Sequence, residues 1–324
     1  MKVVSIDGDG QSAEQLRIID TASPELAQGH VLIRTAYAGV NRPDILQRRG
    51  LYPPPPGASP VLGLEVSGKI DGVGEGVTGW KAGDHVCALV NGGGYAEYVS
   101  VDARHLLPVP KGLTLEAAGS LPETVLTVYA NLMEHGALKP NETVLVHGGN
   151  SGIGSMTIQM GKAIGARVIA TARGGDKCAF AKSLGADLVI DSDAEDFVAP
   201  VKDFGGADVV LDIVAGDFAA KNLLCLNFRG RMVQVGTGRS PVVEIDLRRI
   251  MQKQAVLTGS MLRPRSSDEK ARLTAAVRAH IWPLIEAGRI HPVIDRVFAF
   301  ADIAAAHAYM DSGAHKGKVV LKLA

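Results

Sequence analysis

The chain has 324 residues, enough for roughly two domains. With 46% hydrophobic and 21% charged residues it has the balance of a folded globular protein, which argues against wholesale disorder. Thirty-four basic residues cancel thirty-four acidic ones, so no net field draws the chain to nucleic acid or to an anionic membrane.

The opening MKVVSIDGDG turns acidic early and has no long apolar core, so no signal peptide is expected. The first 120 residues read as short strands between turns: Val31–Val40, the glycine-punctuated Val61–Val77, DHVCALV and YAEYVSV. Such spacing predicts a barrel-like β domain. A helix over Pro43–Arg49 interrupts it, followed by the stiff proline run of LYPPPPGASP. From about Asn141 to Gly259 apolar strands alternate with helical periods. TVLVHG, ARVIATA, DLVI, DVVLDIV, RMVQVG and AVLTGS are the strands, and Ile153, Met156, Met160 and Ile164 share one helical face. A helix is predicted over Cys178–Leu184. The alternation implies a parallel sheet covered on both faces. The tail predicts a long helix near Asp268–Ala287, a strand VIDRVF, a helix over Asp302–Met310 and a last strand KVVLKL.

No run of about 18 apolar residues is present to span a bilayer. Cys87, Cys178 and Cys225 are far apart in sequence and odd in number, which speaks against disulfides or a cysteine-rich zinc site and for a reducing, cytoplasmic setting.

Gly149-Asn150-Ser151-Gly152-Ile153-Gly154 follows the TVLVHG strand and opens the amphipathic helix. Glycines there let the backbone turn tightly and approach a pyrophosphate, and the helix N-terminus adds its positive dipole end. A dinucleotide-binding turn is the reading, although Ser151 stands where the middle glycine is usual. An NAD-selective site puts Asp or Glu at the end of the second strand. Here VIATARGGDK offers Ala172 and Arg173, with Lys177 a turn later. These cations either receive the 2′-phosphate of NADP or are solvated surface charges, with Asp176 partly offsetting them.

Gly39–Ser59, LGLEVSG (Leu62–Gly68), VGEGVTGWKAGDHVCAL, GGGYAEY, VHGGNSGIG, GSMLRPR (Gly259–Arg265), HPVIDRVF and HKGKVVL together resemble one family over nearly the whole chain. They are similar to the zeta-crystallin-like quinone oxidoreductases of the medium-chain dehydrogenase/reductase superfamily, nearest the tumour-suppressor-inducible subgroup. The resemblance implies an α/β fold: a Rossmann doubly wound parallel-sheet domain, residues 123–262, inserted into a β-rich GroES-like catalytic domain made of residues 1–122 and 263–324. It implies hydride transfer from NADPH to a quinone in a homodimer; reduction of an alkenal or enone, or NADPH binding with little turnover, are the alternatives.

The resemblance also implies roles for single residues. Asn41 and Tyr52 match positions near the nicotinamide and the substrate, and either side chain can donate a hydrogen bond to a carbonyl. Asn41 is alternatively a turn-forming amide, and Tyr52 a packing residue on the proline run. Glu123 and Thr127 are placed beside the nicotinamide; Gly236, Thr237, Ser260 and Leu262 border the cofactor, and Lys318 lies near it. Ser192 aligns with a tyrosine that often binds the 2′-phosphate. Gly63-Leu64-Glu65 replaces the Gly-His-Glu turn of the zinc enzymes, and Leu64 cannot ligate zinc, so no metal is expected.

Overall fold

Alternation of apolar and polar residues shapes the first sheet. In β3 (His30–Val40), Val31, Ile33 and Thr35 are buried while Arg34 between them is exposed. The computed structural model describes residues 1–324, which divide into two units. The first comprises Met1–Leu126, Arg263–Ala287 and Pro292–Ala324; the second comprises Thr127–Leu262 with Gly288–His291.

The first unit opens with an antiparallel pair, β1 (Lys2–Ile6) and β2 (Leu16–Asp20). Then come β3, β4 (Glu65–Val73), β5 (His85–Leu89), β6 (Tyr98–Asp102) and β7 (Leu106–Pro108). The eleven residues of β3 are long enough to pair with β4 on one edge and with two strands in succession on the other. Those two are β6, against His30–Arg34, and a C-terminal strand against Tyr37–Val40. At Gly68 the strands approach so closely that a Cβ would lie 2.1 Å from the Arg34 carbonyl oxygen. Inward-facing Val31, Ile33, Val66, Ile70 and Val86 form the core with Ile45 and Leu62.

The second unit carries β8 (Thr143–His147), β9 (Arg167–Ala172), β10 (Leu188–Asp191), β11 (Ala207–Asp212), β12 (Leu226–Gln234) and β13 (Val256–Gly259). All pair in parallel, in the order β10-β9-β8-β11-β12-β13. Every residue of β8 is buried, as expected for a strand covered on both faces. The strand order reverses between β8 and β11, and the turn leaving β8 lies at that switch point, where open parallel sheets bind ligands. The chain then returns to the first unit with β14 (Ile294–Ala299) and β15 (Lys318–Lys322), the latter being the second partner of β3. The architecture is the expected one: a doubly wound parallel α/β sheet and a separate β-rich domain.

Some elements differ from expectation. The stretch expected as one helix to Ala287 is two, Ser267–His280 and Trp282–Glu286. Pro283 explains the break, because it offers no N–H to continue the first helix. The Cys178–Leu184 helix begins earlier, at Gly175, and the C-terminal one runs Ile303–Ser312 after a short 3-10 turn. The Pro122–Tyr129 helix and the wider π turn Ala130–His135 have no counterpart in the sequence reading. No helix is long and apolar enough to cross a membrane.

Candidate active site

The turn leaving β8 is built around missing side chains. Gly148 has φ +70°, a conformation that favours glycine. A Cβ on Gly149 would lie 2.9 Å from that of Ala170, and one on Gly154 would lie 2.1 Å from the Gly148 carbonyl oxygen. Ser151 caps the following helix, Gly152–Ala163, its Oγ accepting the Gly154 N–H at 3.0 Å. Gly152 and Ile153 open that helix, so their N–H groups have no intrahelical acceptor. Sequence motif, bare backbone and helix dipole coincide at the sheet's switch point, and a pyrophosphate fits there.

Arg173 follows β9, exposed and without a hydrogen bond or ion pair. The next turn is held from β10: Asp191 Oδ1 accepts the N–H groups of Gly174 (2.9 Å) and Asp193 (3.0 Å). These bonds, the Gly174 one foremost, hold the Asp191 carboxyl below its ordinary pKa. Ser192 follows β10, beside the end of β9, and its Oγ donates to the Ala172 carbonyl at 3.2 Å. Lys177 is half-buried on the Gly175–Ser183 helix. Asp191 therefore orders this turn, a role the sequence reading missed.

His147, at the end of β8, is fully buried between Phe197 and Phe218. Its Nε2 meets Asn222 Oδ1 at 2.7 Å and its Nδ1 meets Thr171 Oγ1 at 2.9 Å. Asn222 donates its amide to Asp212 at 2.9 Å, so its oxygen faces the ring. The ring is thus a neutral Nε2–H tautomer, and burial lowers its pKa. Asp212 Oδ1 in turn accepts the Val214 and Ala215 N–H groups, fixing the turn after β11. Gly236 and Thr237 follow β12, where Gln234 Nε2 holds the Asp212 and Gly236 carbonyls. Ser260 Oγ donates to Asn131 Oδ1 at 2.8 Å, and Asn131 Nδ2 donates to the Thr127 carbonyl at 2.8 Å. Leu262 is buried.

The first unit brings together groups remote in sequence. Asn41 caps the Arg42–Arg48 helix; its backbone N–H donates to Asp44 Oδ2 at 2.8 Å. Its side-chain Nδ2 donates to Glu65 Oε1 at 2.8 Å, and its Oδ1 accepts from Lys318 Nζ. Lys318 also pairs with Glu65, and the two are 4% and 0% exposed. Glu65 Oε2 accepts the Glu123 N–H at 2.9 Å. Gly39 makes room, since a Cβ there would lie 2.0 Å from Glu65 Oε1. Asp44 also accepts from Tyr95 Oη at 2.9 Å and Gly63 N–H at 3.2 Å; burial nonetheless pushes its pKa up to about 6. Asn41 and Lys318 are thus joined in one buried network.

The residues present do not fit zinc. Leu64, in the place of a ligating histidine, is packed in the core, Glu65 is taken up by Lys318 and Asn41, and burial pushes the Cys87 thiol up. No three His, Cys, Asp or Glu side chains are grouped to hold a metal ion.

Tyr52 is half-buried at the start of the proline run, and its hydroxyl has no hydrogen-bond partner. Burial, with Glu123 adding and Arg263 opposing, pushes its pKa up to about 12. Arg263 lies over the ring, Cζ 5.3 Å from the centroid, and Nη1 donates to the Tyr52 carbonyl at 3.1 Å. Sequence reasoning missed Arg263; the only signal was an arginine in the otherwise apolar GSMLRP.

Two family profiles match the chain: "Alcohol dehydrogenase GroES-like domain" over residues 27–111 and "Zinc-binding dehydrogenase" over residues 184–321. Among solved structures, the quinone oxidoreductase of Escherichia coli complexed with NADPH is 28% identical, with TM-score 0.89 and 100% of both chains covered. The CurK enoyl reductase is 25% identical, with TM-score 0.89 and 100% and 99% covered. A curated relative, the synaptic vesicle membrane protein VAT-1 homolog of Danio rerio, is 28% identical over 94% of this chain, which spans 66% of that relative's length.

Proposed function

We propose that this chain, which belongs to the medium-chain dehydrogenase/reductase superfamily and is an oxidoreductase, passes a hydride from NADPH to a quinone without zinc. The observation that carries the cofactor choice is Arg173. It stands exposed and unpaired where NAD-selective sheets present a carboxylate, and a 2′-phosphate supplies the missing anion. Gly149, Asn150, Ser151, Gly152, Ile153 and Gly154 would cradle the pyrophosphate, with Lys177 and Ser192 near the ribose phosphate. Gly236, Thr237, Ser260 and Leu262 would line the remainder, and Glu123 and Thr127 would flank the nicotinamide.

Bound NADPH supplies the hydride and its two electrons. On the substrate side, Tyr52 offers an unpartnered hydroxyl that would donate to the quinone carbonyl and stabilise the oxyanion as it develops. Asn41 and Lys318 would act through the Glu65 network, holding the polypeptide around it in place. The second reading is reduction of an alkenal or enone, favoured by the likeness to the CurK enoyl reductase. Steady-state NADPH oxidation against a panel of quinones and enones tests both: turnover confined to quinones supports the first reading, turnover confined to enones the second. Oxidation with neither class would leave a NADPH-binding role.

Assembly as a homodimer fits the edge strand. β13 ends its sheet with unpaired backbone groups, Val256 is 50% exposed, and Met251 on the preceding helix is 74% exposed. Three free cysteines fit a cytoplasmic setting.

A further inference from the structure

Arg263 is only 6% exposed, yet none of its partners carries a charge. Its Nε and Nη2 donate to the Asn91 carbonyl at 3.0 and 2.7 Å, Nη2 also to Gln47 Oε1 at 2.7 Å, and Nη1 to the Tyr52 carbonyl. Lys270, equally buried, closes the arrangement: its Nζ donates to Asn91 Oδ1 at 2.6 Å and to the Arg263 carbonyl at 2.7 Å. Neither cation forms an ion pair. Burying charge against neutral acceptors is costly, and an apolar side chain of similar volume is often the more stable solution. The carboxylates that act on them, Asp44 and Glu123 on Arg263 and Glu123 and Glu269 on Lys270, do so through space, without an ion pair to either cation.

Asn91 joins the two cations, and Arg263 alone of them reaches Tyr52. The guanidinium grips Tyr52 twice, at its carbonyl and over its ring face, and leaves the hydroxyl without a partner. Arg263 is itself tied to Asn91 and Gln47, so the proline-run segment carrying Tyr52 is fastened to two other parts of the unit. A planar, multiply bonded guanidinium fixes orientation in a way that a lysine at the same place does not.

The geometry points to Arg263, braced by Lys270, as the positioning residue that holds the Tyr52 hydroxyl toward the acceptor carbonyl. This rests on the reading of Tyr52 as the substrate-side donor. The guanidinium charge beside the ring also works against burial and Glu123, which both disfavour the partial negative charge that the phenol oxygen takes on as it donates.

A double-mutant cycle on the full chain tests it, with NADPH as the reductant and a quinone as acceptor. Arg263→Met is expected to lower kcat at least tenfold while leaving the KM for NADPH within twofold. In the Tyr52→Phe background the same substitution is expected to change kcat by less than twofold, because the group it positions is gone. Arg263→Lys is expected to be intermediate, retaining charge without the fork; it also serves as the second variant should Arg263→Met not fold, as judged by circular dichroism. Equal loss from the Arg263 substitution in both backgrounds would mark a general structural role and overturn the inference, as would unchanged kcat in Arg263→Met. Tyr52→Phe turning over at the parent rate would overturn the reading of Tyr52 itself, and the inference with it.

Discussion

Lys318→Met removes the cation from the most buried ion pair in the protein. Glu65 would keep two donors, Asn41 Nδ2 and the Glu123 N–H, but its carboxylate would remain wholly buried with no opposite charge. Breaking such a pair from one side costs about 3–5 kcal/mol, and the surviving donors place this case near about 3 kcal/mol. For a domain of this size each kcal/mol shifts Tm by about 2–4 °C, so a fall of about 6–12 °C is expected. Urea unfolding followed by tryptophan fluorescence reads the right unit, because Trp80 and Trp282 are the only two tryptophans and both belong to the first. Glu65→Gln combined with Lys318→Met should recover about half the loss, since the stranded charge is gone and one carbonyl still accepts. A single variant within about 1 kcal/mol of the parent, or a double variant no more stable than the single, would refute the reasoning.

Arg173→Ala should raise the KM for NADPH about tenfold or more and leave that for NADH within twofold, as steady-state kinetics with each cofactor will show. Asp44 gives a pH dependence. Its folded-state pKa of about 6 lies above the unfolded value near 3.9, so the proton favours the folded state. That stabilisation is complete below about pH 4 and is lost as pH rises through 6, a change of about 3 kcal/mol that urea unfolding of parent and Asp44→Asn between pH 4 and 7 will register as a widening difference. Light scattering should give a dimer for the parent, as proposed, and a monomer for Val256→Lys on the exposed edge strand, with the fold intact by circular dichroism.

The second unit was legible because its physics is local. β8 and β9 are short apolar runs, each leading into a helix, and the glycine turn sits between them in sequence as in space. The break before Pro283 was missed because the apolar period continues across it; only the missing N–H ends the helix. The buried network was illegible for a different reason. Asn41 and Lys318 stand 277 residues apart, and no periodicity marks a lysine that will be sealed against a glutamate. Arg263 likewise looked like one of two ordinary arginines in LRPR until burial separated it from Arg265. The family resemblance marked Ser192 as a hydroxyl near the ribose phosphate, whereas its bond to Ala172 depends on the register of β10 against β9.

Cofactor-resolved hydride transfer to a quinone tests the central claim most directly. The ratio of kcat/KM for NADPH to that for NADH, measured on the parent protein with one quinone at saturation, is expected to be tenfold or greater. A ratio near one, or NADPH bound by the protein and not oxidised by any quinone in the panel, would contradict it.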